Sequence, residues 1–176
     1  MHSKFSLILN AIGFNVCWFG LVIFGNSFIL IAVAWLALHL LMNDNKRAEL
    51  PLLLIVASIG IAVDVALTLT QVFTFSAASI VLPFWLITLW FCFAATLNYS
   101  LSFLNAHQVL QVFFGGLIAP LSYLAGAKFS AVELNNGLMV SYIILASIWA
   151  LLLPLFFTVP QLIDRWLTSG SGAFNE

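Results

Sequence analysis

The chain has 176 residues, 64% hydrophobic and only 6% charged, where an ordinary soluble domain carries roughly a quarter charged residues. Five basic and six acidic side chains cannot cover a water-soluble globule of 19.3 kDa, and the mean hydropathy of +1.16 agrees. Soluble, disordered and disulfide-framework classes are therefore excluded, and a net charge of −1 provides no basic stripe for nucleic acid.

A spanning helix needs about 20 apolar residues. Residues 5–24 meet that, and Gly25-Asn26-Ser27 signals a tight turn into a shorter run, 28–42. The hydrophilic stretch 43–49 must be a water-exposed loop. Pro51 suits the first turn of a third helix, 51–70, and the polar segment 71–79 reads as a connection. A fourth helix is expected over 82–101, a fifth over 109–127 and a sixth over 137–159. Pro120 and Pro154 mark packing kinks inside the last two. The expected fold is all-α, a polytopic transmembrane bundle of six spans forming one domain over 1–165, with a flexible tail at 166–176.

Six spans place both termini on one side of the membrane. Lys4, Lys46, Arg47 and Arg165 fall on that side and Lys128 alone on the other, so the positive-inside bias puts both termini in the cytoplasm. Cys17 and Cys92 each lie in apolar runs without neighbouring ligands, and His2, His39 and His107 are scattered, so neither metal nor cofactor is expected. The expected partners are membrane lipids and a possible membrane-protein partner, with no nucleic acid.

Asp64 is the outstanding polar position. It interrupts apolar sequence inside the third span, where a carboxylate costs roughly 2.5–3.5 kcal/mol and must face other helices or a wet cavity. Gly60, Asp64, Thr68 and Gln71 share one helical face. At about 1.5 Å rise per residue, Asn15, Thr88 and Tyr123 come level with Asp64 in an outer polar layer and are its expected partners. Asn10, His39 and Asn98 form an inner layer, with Asn98, Ser102 and Asn105 spaced as one helical stripe. Lys46, Arg47 and Glu49 are candidate contacts for lipid headgroups, and His39 with Glu49 a candidate acid–base pair. Trp85 and Trp166 sit near helix ends like an aromatic belt, while Trp18, Trp35, Trp90 and Trp149 read as packing residues. Nothing matches a nucleophile elbow, a metalloprotease helix or a phosphate loop.

Several of these residues also occur in the order of a family pattern: Asn10 to Phe19 (NAIGFNVCWF), Leu38-His39-Leu40, Glu49, Asp64 and Pro83-Phe84-Trp85-Leu86. Leu89-Trp90, Ala94 to Leu101 (AATLNYSL) and Pro120 to Leu134 (PLSYLAGAKFSAVEL) continue it. The chain resembles the DUF2878 family of small proteobacterial inner-membrane proteins of unknown function. The resemblance covers nearly the whole chain and implies a multi-pass protein of the bacterial cytoplasmic membrane. It transfers no catalytic residue. Ala119 and Ser130 depart from that pattern, which commonly has glycine at both.

Three functions compete. The sequence favours a non-catalytic envelope accessory or assembly protein, whose polar layers hold helices together. The second is a binding or transport-type module for a small solute, ion or lipid near Asp64. The third is a membrane-embedded lipid-modifying enzyme using His39 and Glu49. A filled core supports the first, a cavity reaching Asp64 the second, and a lipid-accessible cleft at His39 and Glu49 the third.

Overall fold

The computed structural model describes residues 4–43, 45–75 and 81–172. The ends of the expected 71–79 connection and of the 166–176 tail lie outside the described residues. The first two helices, α1 (Lys4–Phe24) and α2 (Ile29–Met42), join through a 3-10 turn at Gly25–Phe28. Gly25 takes φ +57°, a left-handed conformation that glycine adopts at no steric cost, and the chain folds back on itself there. Two glycines seat the returning helix. The Trp35 ring occupies the space a Cβ would need at Gly13, and the Phe28 ring does so at Gly20. The pair is thus an antiparallel hairpin, although it is helical almost without interruption.

The third helix, α3 (Lys46–Leu69), starts five residues earlier than expected, so Lys46 to Leu50 belong to a helix and not to the loop. Pro51 lies inside its second turn; the backbone bond it removes would have ended on Arg47, at the exposed end of the helix. Residues Phe73–Thr74 (β1) pair antiparallel with Glu133–Leu134 (β2), a two-residue ladder that ties the end of α3 to the sixth helical segment. Asn135 reinforces it, its amide donating to the Gln71 carbonyl at 3.1 Å.

The helix expected over 82–101 is shorter. Helix α4 (Phe84–Ala94) ends after 11 residues, and the chain continues through buried turns to a 3-10 turn at Ser102–Leu104. Asn98, Ser102 and Asn105 therefore do not form one helical stripe. Irregular backbone at membrane depth needs polar partners from within the protein. Asn10 supplies two: its amide donates to the Ala95 carbonyl at 3.1 Å, and its Oδ1 accepts from the Ser100 N–H at 3.2 Å. At the other end of α4, Asn26 Oδ1 accepts from the free Trp85 N–H at 3.1 Å.

The fifth expected helix is a rod of three parts: α5 (Gln108–Phe113), a π-helical turn at Phe114–Ile118, and α6 (Ala119–Lys128). Pro120, near the start of α6, cannot donate to the preceding turn, and the wide turn accommodates the missing bond. Gly115 in that turn abuts the Trp149 carbonyl, where no Cβ would fit. Ser130 follows with φ +59°, a left-handed conformation that favours glycine. Helix α7 (Gly137–Gly172) then runs 36 residues, past both Pro154 and Pro160 and through the start of the expected tail. Buried Ile163 and the packing of Leu167 on the core hold that extension in place.

Among the described residues four helical stretches are long and apolar enough to cross a membrane: Ser6–Met42, Lys46–Leu69, Gln108–Lys128 and Gly137–Ser169. The first of these is the folded-back hairpin. The largest core cluster joins α3, α4 and α7 through Leu52, Val56, Trp90, Trp149 and Phe156. Outward, Leu30 is 82% exposed, Val109 82% and Leu151 77%. Apolar exposure on this scale would aggregate in water and is satisfied by hydrocarbon.

Candidate functional site

Helices α3, α4 and α6 meet at Asp64, whose side chain has no exposure at all. Its Oδ2 accepts from Trp90 Nε1 at 2.7 Å, and its Oδ1 accepts from the Tyr123 hydroxyl at 2.9 Å. Among the described residues the carboxyl has no cationic partner; the one ion pair is elsewhere. Local sequence makes room for this. Gly60, one turn before Asp64, leaves the space filled by the Trp90 ring. Thr68, one turn after it, turns its hydroxyl to the Asp64 carbonyl at 2.8 Å and stays out of the carboxyl's way.

The two donors are held in turn by aromatic packing. Trp90 stacks on Trp149 with ring centroids 5.5 Å apart and planes within 7°, and Tyr123 lies 6.4 Å from Trp149 and 5.6 Å from Phe73. Such pairs contribute about 0.5–1.5 kcal/mol beyond burial. The chemistry of the site follows from its donor types. An indole N–H only donates, so Oδ2 is always an acceptor. A phenol hydroxyl donates or accepts, so Oδ1 fits Tyr123 either as carboxylate oxygen or as a protonated O–H.

Of the expected outer layer, Asp64 and Tyr123 come together. Asn15 and Thr88 do not join them: the Asn15 amide donates to the Ala11 carbonyl at 2.8 Å, and the Thr88 hydroxyl to the Phe84 carbonyl at 2.9 Å. Each bonds one turn back on its own helix. Trp90, read from the sequence as packing only, takes the place expected for Thr88.

Against the wall formed by Trp90 and Tyr123 lies a cavity of about 580 Å³. It runs between α1, α4 and the α5–α6 rod, with Trp149 and Leu153 of α7 behind. Its lining includes Asn15, Trp18, Phe93, Thr96, Ser100 and Ser122 and, among the described residues, no Lys, Arg, His, Asp or Glu. Asp64 itself is screened from it by its two donors. The Phe19 ring in its lining lies 6.5 Å from the Phe129 ring, edge to face.

A second polar cluster lies at the opposite end of the bundle. His39 Nε2 lies 2.9 Å from Glu49 Oε1, and the Asn98 amide donates to Glu49 Oε2 at 3.3 Å. His39 also packs edge-on against Tyr99, with centroids 4.7 Å apart. Asn10, expected in this layer, instead braces the turns after α4 as described above. Lys46 and Arg47 are exposed, but Glu49 is 3% exposed and is corrected from a headgroup contact to a buried link between α2, α3 and the turns after α4. Its place four residues into α3, on the inward face, separates it from its neighbours. Cys17 and Cys92 are buried in one apolar cluster between α1, α2 and α4.

Residues 7–155 match the model of a family described as a protein of unknown function (DUF2878), and the chain belongs to that family. No curated protein and no solved structure matches it.

The Asp64 geometry gives a direct test of its structural role. Asp64→Asn keeps an acceptor for Trp90 and a donor for Tyr123, so its thermal stability in detergent should stay within about 1 kcal/mol of wild type. Asp64→Leu leaves two buried donors without partners and should lose about 2 kcal/mol or more. Equal stability of the two variants would show that the hydrogen bonds do not hold the helices.

Proposed function

We propose that this DUF2878 protein is a six-span protein of the bacterial cytoplasmic membrane that binds a membrane-soluble small molecule in the cavity between α1, α4 and α6. The cavity carries this reading, and it moves the binding place from Asp64 itself to the space beside Trp90 and Tyr123, which screen the carboxyl. A volume of about 580 Å³ lies within the range of small-molecule sites, and its walls belong to three separate elements braced by polar contacts. A purely structural accessory protein accounts for those contacts but not for the open space beside them. The lipid-modifying reading needs His39 and Glu49 to face a cleft, whereas their side chains are 6% and 3% exposed.

In this reading α4 and the turns after it make the fourth crossing, and the α5–α6 rod the fifth. Neighbouring helices run antiparallel in pairs: Glu49 meets Asn98 at one end of α3 and Asp64 meets Trp90 further along, while Leu117 meets Tyr142 between the rod and α7. Lys128 then lies at the ladder end, and Lys4, Lys46, Arg47 and Arg165 at the other, which supports cytoplasmic termini. Exposed Lys46 and Arg47 contact anionic headgroups there, at about 1 kcal/mol each.

Reporter fusions test the topology. Fusions at Asp44 and at the C-terminus should both read cytoplasmic and one after Phe75 external; termini on opposite sides would refute six spans. Native mass spectrometry of the purified protein tests the cavity. Wild type should carry a small non-phospholipid molecule that Ala11→Phe, which projects a ring into one end of the cavity, has lost, and identical spectra for the two would contradict the binding reading. In the same spectra, Lys46→Gln with Arg47→Gln should reduce bound anionic lipid; undiminished lipid would make the pair a plain connector.

A further inference from the structure

The lining restricts what the cavity can hold. Among the described residues no ionisable group other than the Tyr123 phenol faces it, and a charge moved from water into such surroundings without a partner costs many kcal/mol. The occupant is therefore neutral. Fatty acid anions and phosphate-bearing headgroups do not fit this interior.

Shape narrows it further. Along α1 the lining extends from Ala11 to Val22, about 16 Å at 1.5 Å per residue. Spread over that length, about 580 Å³ gives a mean cross-section of roughly 35 Å², enough for one ring-wide molecule lying along the helices. The walls are aromatic on several sides, with Phe14, Trp18, Phe93, Phe114 and Trp149 among them. Flat rings favour offset and edge-to-face contacts, so these walls match a ring-bearing or polyene molecule better than a saturated chain.

The polar groups in the lining fix where its heteroatom sits. The Thr96 and Ser122 hydroxyls donate to the Phe93 and Ala119 carbonyls, at 2.6 and 2.7 Å, and Tyr123 donates to Asp64. Among the described residues the Ser100 hydroxyl has no such bond, and its backbone N–H alone is used, by Asn10. Asn15 offers more: it spends one amide hydrogen on Ala11, which leaves both its carbonyl oxygen and its second amide hydrogen available, and it is exposed beside the cavity at the middle of α1. A carboxamide half satisfied at that depth is costly without a partner. Lining residues Phe19, Ile118 and Leu121, on the facing edges of α1 and the α5–α6 rod, are 48%, 48% and 48% exposed, so the cavity opens sideways toward lipid.

Resting on the binding reading above, we infer that the cavity takes a neutral, elongated, ring-bearing or polyene molecule with a single hydroxyl or carbonyl, held by Asn15 and admitted laterally between α1 and α6. Asn15 offers both a donor and an acceptor, so either oxygen function is recognised.

The test uses the full chain in nanodiscs and energy transfer from its tryptophans to three probes: diphenylhexatriene, retinol and retinoic acid at neutral pH. Diphenylhexatriene and retinol should show saturable transfer that Ala11→Phe abolishes. Retinoic acid, the same skeleton bearing a charge, should bind at least tenfold more weakly than retinol. Asn15→Leu should weaken retinol about five- to tenfold, as the loss of one good hydrogen bond does, and leave diphenylhexatriene unchanged. If retinoic acid binds as well as retinol, or Asn15→Leu leaves retinol unchanged, the inferred ligand class is wrong while diphenylhexatriene binding upholds the cavity. If no probe shows saturable transfer, the binding reading itself fails.

Discussion

A carboxyl group deep in an apolar bundle must find hydrogen-bond partners, and the placement of Asp64 organises much of this structure. Its two oxygens draw an indole from α4 at 2.7 Å and a phenol from α6 at 2.9 Å. The indole stacks on Trp149, which brings in α7. Four helices are thereby fixed around one side chain. Packing alone gives little directional preference among helices in lipid, because lipid tails are as apolar as the side chains they would replace. Polar contacts therefore specify which helix faces which, even where each contributes only about 1 kcal/mol.

The same logic explains the irregular segments. A spanning helix satisfies its own backbone, and each place where one stops inside the bundle leaves donors and acceptors exposed. Three asparagines meet that need. Asn10 braces the turns after α4, Asn26 takes the first free N–H of α4, and Asn135 holds the end of α3. Glu49 does similar work between helices, binding His39 and Asn98 with its two oxygens. Helix α4 is only 11 residues long and is braced at both ends by Asn26 and Asn10. The cavity lies against α4 and the turns that follow it.

Much of this was legible in the sequence. An acid within an apolar span is a strong signal, and counting 1.5 Å per residue puts Tyr123 at the depth of Asp64, with which it is hydrogen-bonded. The fold-back at Gly25 and the helical class were also readable. Trp90 was not, because six tryptophans in an apolar chain look alike by composition and most of them do pack. The available clue was Gly60, one turn from Asp64, which clears the space a ring needs. Glu49 was misplaced because a run of hydrophilic residues reads as one exposed loop, whereas helical geometry turns every fourth residue of its second half inward. The early end of α4 left no clear mark either: the residues from Ala95 to Leu101 are as helix-compatible as those before them, and it is Asn10, 85 residues away in sequence, that stabilises the turns.

The central claim is that the Asp64 carboxyl and the Trp90 indole hold the bundle through their direct bond, and a double-mutant cycle measures that coupling alone. Stabilities of wild type, Asp64→Leu, Trp90→Phe and the double variant would be compared by thermal unfolding in one detergent. The double variant should be less destabilised than the two single losses combined, with a coupling of about 1–2 kcal/mol. Losses that add to within about 0.5 kcal/mol would show that the two side chains act independently, and would contradict the account.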